Sequence, residues 1–140
     1  NKKMNEQENI KLAERAYETF TTGDAESFVN LFSEDVTWNA PEIENLPLQM
    51  KFSGRDKLTA VLSEHGNYEE YLKMEPTEFI AQGDKVVVLG NLVARSKQTN
   101  NQYETDFVHV FTVKDGKFVA FLEFLDNAAA GRAHTAAKSA

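Results

Sequence analysis

The side chains best suited to chemistry in this chain are His109 and Asp126, with Tyr17 as a third. A carboxylate in apolar surroundings becomes less acidic and can remove an acidic C–H proton and return it. A histidine or tyrosine beside it can donate a hydrogen bond to the enolate oxygen that forms. Their predicted placement follows from the segment 107–126. If Asp115-Gly116 is a two-residue turn, Val113 opposes Phe118, Phe111 opposes Ala120, His109 opposes Leu122 and Phe107 opposes Phe124. All eight side chains then share one face, and the same register adds Asp126 at the strand end. A bulge at Gly116 would shift the pairing. In the unshifted register His109 and Asp126 lie roughly 13 Å apart, so contact requires bending or a bridging water.

An imidazole or carboxylate in such a wall needs a partner, because an unsatisfied buried polar group costs about 1–3 kcal/mol. Each candidate also has a plainer reading. His109 can be a hydrogen-bonded part of the wall, and Asp126, preceding Asn127-Ala-Ala-Ala, can be the N-cap of a tail helix. Tyr17 needs a buried partner for its hydroxyl or a route to solvent. The aromatic residues Phe20, Trp38, Phe52, Phe107, Phe111 and Phe124 are candidate pocket lining, and Asn91 needs its amide satisfied by a neighbour or a bound molecule. His65 and His134 read as solvent-facing, and Glu69-Glu70 as solvated. No two histidines have ligand spacing, so a zinc site is not expected.

The elements that must position these groups are legible from periodicity. Ile10, Leu12, Ala13, Ala16, Tyr17 and Phe20 fall near helical spacing and predict a first amphipathic helix that stops at Gly23. Asp24 can cap a short second helix carrying Phe28, Leu31 and Phe32. Residues 35–39 read as a short strand closed by Pro41, followed by a pocket-rim loop interrupted by Pro47. Ser53 and Asp56 resemble a capping box opening a third helix toward Gly66. Turn signals at Gly83-Asp84, Thr99-Asn100-Asn101 and Asp115-Gly116 then divide four strands, at about 72–81, 85–97, 102–114 and 117–125. The middle two are long enough that they must twist and bend, which makes a concave face. The tail, 127–140, reads as helical or disordered.

Composition excludes several function classes. The 140 residues are 41% hydrophobic and 26% charged, which predicts one globular domain over 1–140 with its core at about 8–130. The net charge of -7, without a basic stripe, argues against nucleic acid. No apolar run is long enough to span a membrane, and the absence of cysteine removes thiol chemistry and disulfides. A cytoplasmic location is expected.

Several short motifs occur in one order: Phe20-Thr-Thr-Gly-Asp24, Leu31-Phe-Ser-Glu-Asp-Val-Thr-Trp38, Gly54-Arg-Asp, Asp84-Lys-Val-Val-Val-Leu-Gly90, Phe107-Val-His-Val-Phe-Thr-Val-Lys-Asp-Gly-Lys117 and Phe124-Leu-Asp126. Together, over about Glu8 to Ala130, they resemble the SnoaL-like family related to polyketide cyclases, within the nuclear transport factor 2-like superfamily. The resemblance implies an α+β, cone-shaped, cystatin-like fold in which N-terminal helices pack on a strongly curved antiparallel sheet around a central apolar pocket. It also implies a homodimer, with Val108 and Val110 facing outward. In the family's cyclases a late-strand aspartate and a nearby histidine transfer the proton, positions matched here by Asp126 and His109. The implied activity is that of a cofactor-free lyase, isomerase or cyclase acting on a small apolar carbonyl compound. The alternative is a non-catalytic module for binding a small ligand or for dimerisation. Ketosteroid isomerases, more distantly similar, carry their base just before a proline where this chain has Ala40. The Asp-Arg-Asp relay of epoxide hydrolases is matched in residue type only, by Arg95 and Asp106.

Overall fold

The structure, a computed structural model, describes residues 5–136. Helix α1 (Glu6–Thr21) opens on a capping box in which the Asn5 side chain accepts from the Glu8 amide and Glu8 accepts from the Asn5 amide. Its inward face carries Asn9, Ala13, Ala16 and Tyr17, and the two alanines leave room for close approach to the sheet. Asp24 caps α2 (Ala25–Val29) as expected, but the helix ends before Leu31, and Phe32, expected on it, opens the next strand. Strand β1 (Phe32–Asn39) leads through a rim loop to β2 (Lys51–Ser53) and then to α3 (Arg55–His65). The capping box expected of Ser53 and Asp56 does not form. Ser53 pairs within the sheet, and the N-cap is Gly54 at φ 105°, a backbone angle that disfavours side chains.

The remaining strands are β3 (Glu69–Gln82), β4 (Lys85–Ser96), β5 (Gln102–Lys114) and β6 (Lys117–Leu125), followed by α4 (Asn127–Ala133). The tail expectation is met by α4 as far as it is described; 137–140 lie outside the described residues. The six strands run in the order β2-β1-β6-β5-β4-β3. All pairs are antiparallel except β1–β6, which is parallel. Helix α1 packs across β3 and β4, α3 across β1 and β2, and α4 against β5. Edge strand β3 bends where Leu72 and Thr77 lack partners in the ladder, and Pro76 sits where an edge strand tolerates it. These irregularities curl the sheet around the helices into the α+β cone.

One further bulge decides which side chains face inward. Val113 pairs with Phe118 as expected, but Thr112 pairs with Ala120, leaving Val119 unpaired. Beyond it the register is shifted by one residue: Phe111 opposes Phe121, His109 opposes Glu123 and Phe107 opposes Leu125. Phe121 and Glu123 therefore turn inward, while Leu122 and Phe124 turn outward.

Phe107 is accommodated by a missing side chain on the neighbouring strand. It sits opposite Gly90, where a Cβ would lie 2.2 Å from its ring and 2.5 Å from the Glu75 carbonyl oxygen. Gly90→Ala is accordingly expected to destabilise the fold by about 1–3 kcal/mol. Chemical denaturation of the two proteins measures the difference, and an unchanged midpoint would refute the packing argument.

Candidate active site

A cavity of about 80 Å³ lies between α1, α3 and the inner face of the sheet, several times the space one water needs. Its helical walls are Ala16, Tyr17, Phe20 and Phe28 on one side and Leu58, Val61, Leu62 and His65 on the other. Trp38, Tyr71, Met74, Phe111 and Phe121 form the sheet wall, and Met50 enters from the rim loop. A wider groove of about 400 Å³ shares Phe20, Phe28, Leu62, His65, Tyr71 and Met74 with the cavity and forms its approach.

Three polar side chains from distant parts of the chain meet in this apolar space. The Tyr17 hydroxyl lies 2.5 Å from His109 Nδ1, and His109 Nε2 lies 2.6 Å from Glu123 Oε2. His109 is 5% exposed, and its ring stacks on Phe107 at 4.2 Å and packs against Phe121 at 4.9 Å. Tyr17 is set by one turn of α1, His109 by the inward parity of β5, and Glu123 by the bulge at Val119. With Glu123 ionised, His109 donates Nε2–H to it, and a neutral ring then accepts the Tyr17 O–H at Nδ1. Burial, and secondarily the Glu123 charge, push the Tyr17 hydroxyl far above its usual value, so tyrosinate is strongly disfavoured. Tyr17 consequently gives up a proton only as it receives another. Tyr17, His109 and Glu123 form one hydrogen-bonded chain bordering the cavity.

His109, Tyr17, Phe20, Trp38 and Phe111 line the cavity. Phe52 stacks on Trp38 from behind at 6.0 Å, and Phe107 backs the imidazole. Neither Phe52 nor Phe107 borders the cavity itself, and three further candidates lie away from it. Phe124 is 57% exposed on the outer face because of the register shift. Asn91 also points outward, where its amide accepts from Lys73 and donates to Asp106. Asp126 is an exposed N-cap of α4, accepting from the Ala129 amide at 3.0 Å, so the carboxylate that meets His109 is Glu123. Arg95 and Asp106 do not meet, since Arg95 binds Glu70 and Asn100. The alternating pattern of β6 would have flagged Glu123 only with the bulge known.

The readings of Glu69, His65 and His134 as solvated are likewise corrected. Glu69 is 4% exposed; its Oε1 meets His65 Nε2 at 3.0 Å, and its Oε2 meets His134 Nε2 and the Tyr103 hydroxyl, each at 2.7 Å. Burial alone would raise the Glu69 pKa, but the His65 hydrogen bond and charge, with bonds from His134 and Tyr103, outweigh it and hold the carboxyl below its ordinary value of 4.5. Among the described residues no group of three His, Asp or Glu side chains is placed to hold a metal ion. The two imidazoles at Glu69 approach the carboxylate with their own Nε2 atoms.

The fold agrees with the comparisons. A family model described as the SnoaL-like domain matches residues 13–121. The chain belongs to the SnoaL-like family. A nuclear transport factor 2-like protein from Burkholderia xenovorans LB400 is 32% identical over 95% of this chain and all of its own, with a TM-score of 0.84. TerC, crystallised with polyporic acid, is 26% identical over 91% of this chain and 98% of its own, with a TM-score of 0.74. A protein from Pseudomonas putida KT2440 provisionally assigned as a polyketide cyclase shares the fold at 15% identity, covering 87% of this chain and 94% of its own, with a TM-score of 0.71. No curated protein matches this SnoaL-like chain in sequence. No helix among the described residues is long and apolar enough to cross a membrane.

Because the folded-state value of Glu69 lies below its unfolded value, the carboxylate adds stability above about pH 4.5 and loses that contribution as pH falls through the lowered folded value. Glu69→Gln is expected to cost about 2–4 kcal/mol at pH 7, with the gap to wild type closing below pH 4.5. Urea melts across that range measure it.

Proposed function

We propose that this SnoaL-like protein is a cofactor-free acid/base enzyme, a lyase, isomerase or cyclase acting on a small apolar carbonyl compound. The single observation that carries the reading is the Tyr17–His109–Glu123 chain, whose hydroxyl end stands in an aromatic cavity. When both nitrogens of His109 carry protons, Nδ1 donates to the Tyr17 oxygen and the Tyr17 O–H is free to donate to a substrate carbonyl oxygen. As that proton moves to the substrate, His109 reprotonates Tyr17 and becomes neutral, so charge never accumulates on the tyrosine. The ionised Glu123 holds the ring in orientation throughout. The ligand that TerC carries supports a small organic occupant for this fold.

A second reading, a binding module without turnover, rests on the same aromatic lining. Mass spectrometry of small molecules released from freshly purified protein identifies an occupant, and α-proton exchange into D₂O by that occupant or by acetophenone reads catalysis. Tyr17→Phe and Glu123→Gln are expected to slow exchange about 100-fold or more, while Asp126→Ala leaves it unchanged and costs about 1 kcal/mol of stability as a lost cap. Tight binding with no exchange in the wild type would favour the module instead.

We also propose a homodimer through the outer sheet face. Val87 and Leu89, Val108 and Val110, and Leu122 and Phe124 stand side by side across three strands. Two copies of such a face can cover one another about a twofold axis. Light scattering at micromolar concentration is expected to give twice the chain mass of 15.8 kDa, and Phe124→Glu a single mass. A wild-type monomer would refute it.

A further inference from the structure

Beyond Tyr17, His109 and Glu123, a second imidazole borders the cavity, and the carboxylate that holds it, Glu69, borders the adjoining groove. His65 closes α3 and borders both the 80 Å³ cavity and the 400 Å³ groove. Its ring stacks on Tyr71 at 5.1 Å, and its Nε2 is held by Glu69. Among the described residues nothing hydrogen-bonds its Nδ1. Glu69 cannot swing away, because Tyr103 and His134 occupy its other oxygen. An ionised Glu69 requires the proton of neutral His65 to sit on Nε2, which leaves the lone pair on Nδ1. This is the arrangement of a general base: one nitrogen oriented by a buried carboxylate, the other available.

Resting on the reading of the cavity as a proton-transfer site, we propose that His65 is a second catalytic residue. It is the base that removes a proton from the carbon next to the carbonyl of a small ketone. In the step the C–H bond breaks and its electron pair forms the C=C bond of the enol. The carbonyl π pair moves to oxygen, which takes the proton of Tyr17, and the proton from carbon goes to His65 Nδ1. Tyr17 is reprotonated from His109, and the new imidazolium faces Glu69. Nothing is oxidised or reduced, and the reverse sequence delivers the proton to a different carbon or to the same one.

The test uses the full chain and acetophenone in D₂O, with methyl-proton exchange followed by ¹H NMR and affinity read by saturation-transfer titration. His65→Ala is expected to slow exchange at least 100-fold with affinity within about threefold of wild type. Added imidazole, entering the space left by the ring, is expected to restore exchange above a protein-free imidazole control. His65→Gln keeps a donor for Glu69 and serves if the alanine variant does not fold; it too is expected to lose exchange. Exchange retained within fivefold in either variant overturns the assignment, as does a loss accompanied by collapsed affinity and no rescue. If Tyr17→Phe slows exchange and the His65 variants do not, this inference alone falls. If the wild type accelerates no exchange, the proton-transfer reading falls with it.

Discussion

An imidazole enclosed by aromatic rings has to find a partner for each nitrogen from within the protein, and much of this structure is arranged around that requirement at His109. Its two partners come from opposite ends of the chain, Tyr17 on the first helix and Glu123 on the last strand. Each is delivered by a different device. Ala13 and Ala16 let α1 approach the sheet closely enough for the Tyr17 hydroxyl to arrive, and the unpaired Val119 rotates Glu123 to the inner face. Gly90 in turn makes room for the Phe107 ring that stacks on the imidazole. The site thus depends on one small residue, one extra residue and one helix face, and only secondarily on the aromatic lining.

The two imidazole–carboxylate pairs, at the cavity and at its adjoining groove, are built differently. Glu123 meets one imidazole and is joined through it to a hydroxyl inside the cavity. Glu69 is shared among His65, His134 and Tyr103, which come from α3, the end of α4 and β5. That sharing ties the C-terminal helix to the cavity wall as well as orienting His65. Thr99 and Asn101 add bonds to the Ala133 carbonyl at the same corner, so the last helix is docked by polar contacts around a buried carboxylate. Burial alone would neutralise Glu69; its three donors keep it ionised.

Most turns and caps follow from the residues at those positions alone. Asp115 and Gly116 both adopt positive φ in the turn between β5 and β6, Gly83 and Asn100 do the same at their turns, and Asp24 caps its helix. His109 was legible because strict alternation along β5 puts it among Phe107, Phe111 and Val113. Tyr17 was legible because helical spacing puts it on the buried face of α1. The ordered motifs indicated the family, and with it the cone-shaped fold.

Pairing between strands was less accessible. A strand has a side-chain period of two, so one unpaired residue reverses every later side chain, and nothing in Lys117 to Leu125 announces that Val119 is the extra one. That single step exchanged Phe124 for Glu123 and left Asp126 to cap a helix. The Glu69 cluster was hidden for another reason: His134 lies 65 residues away, and a charged pair flanking a strand reads as solvated until something folds over it. By itself the sequence determined the main helices and the long strands, their order and the family. The tertiary structure alone decided which carboxylates meet the histidines, because that depends on register and on long-range closure rather than on any local preference of the chain.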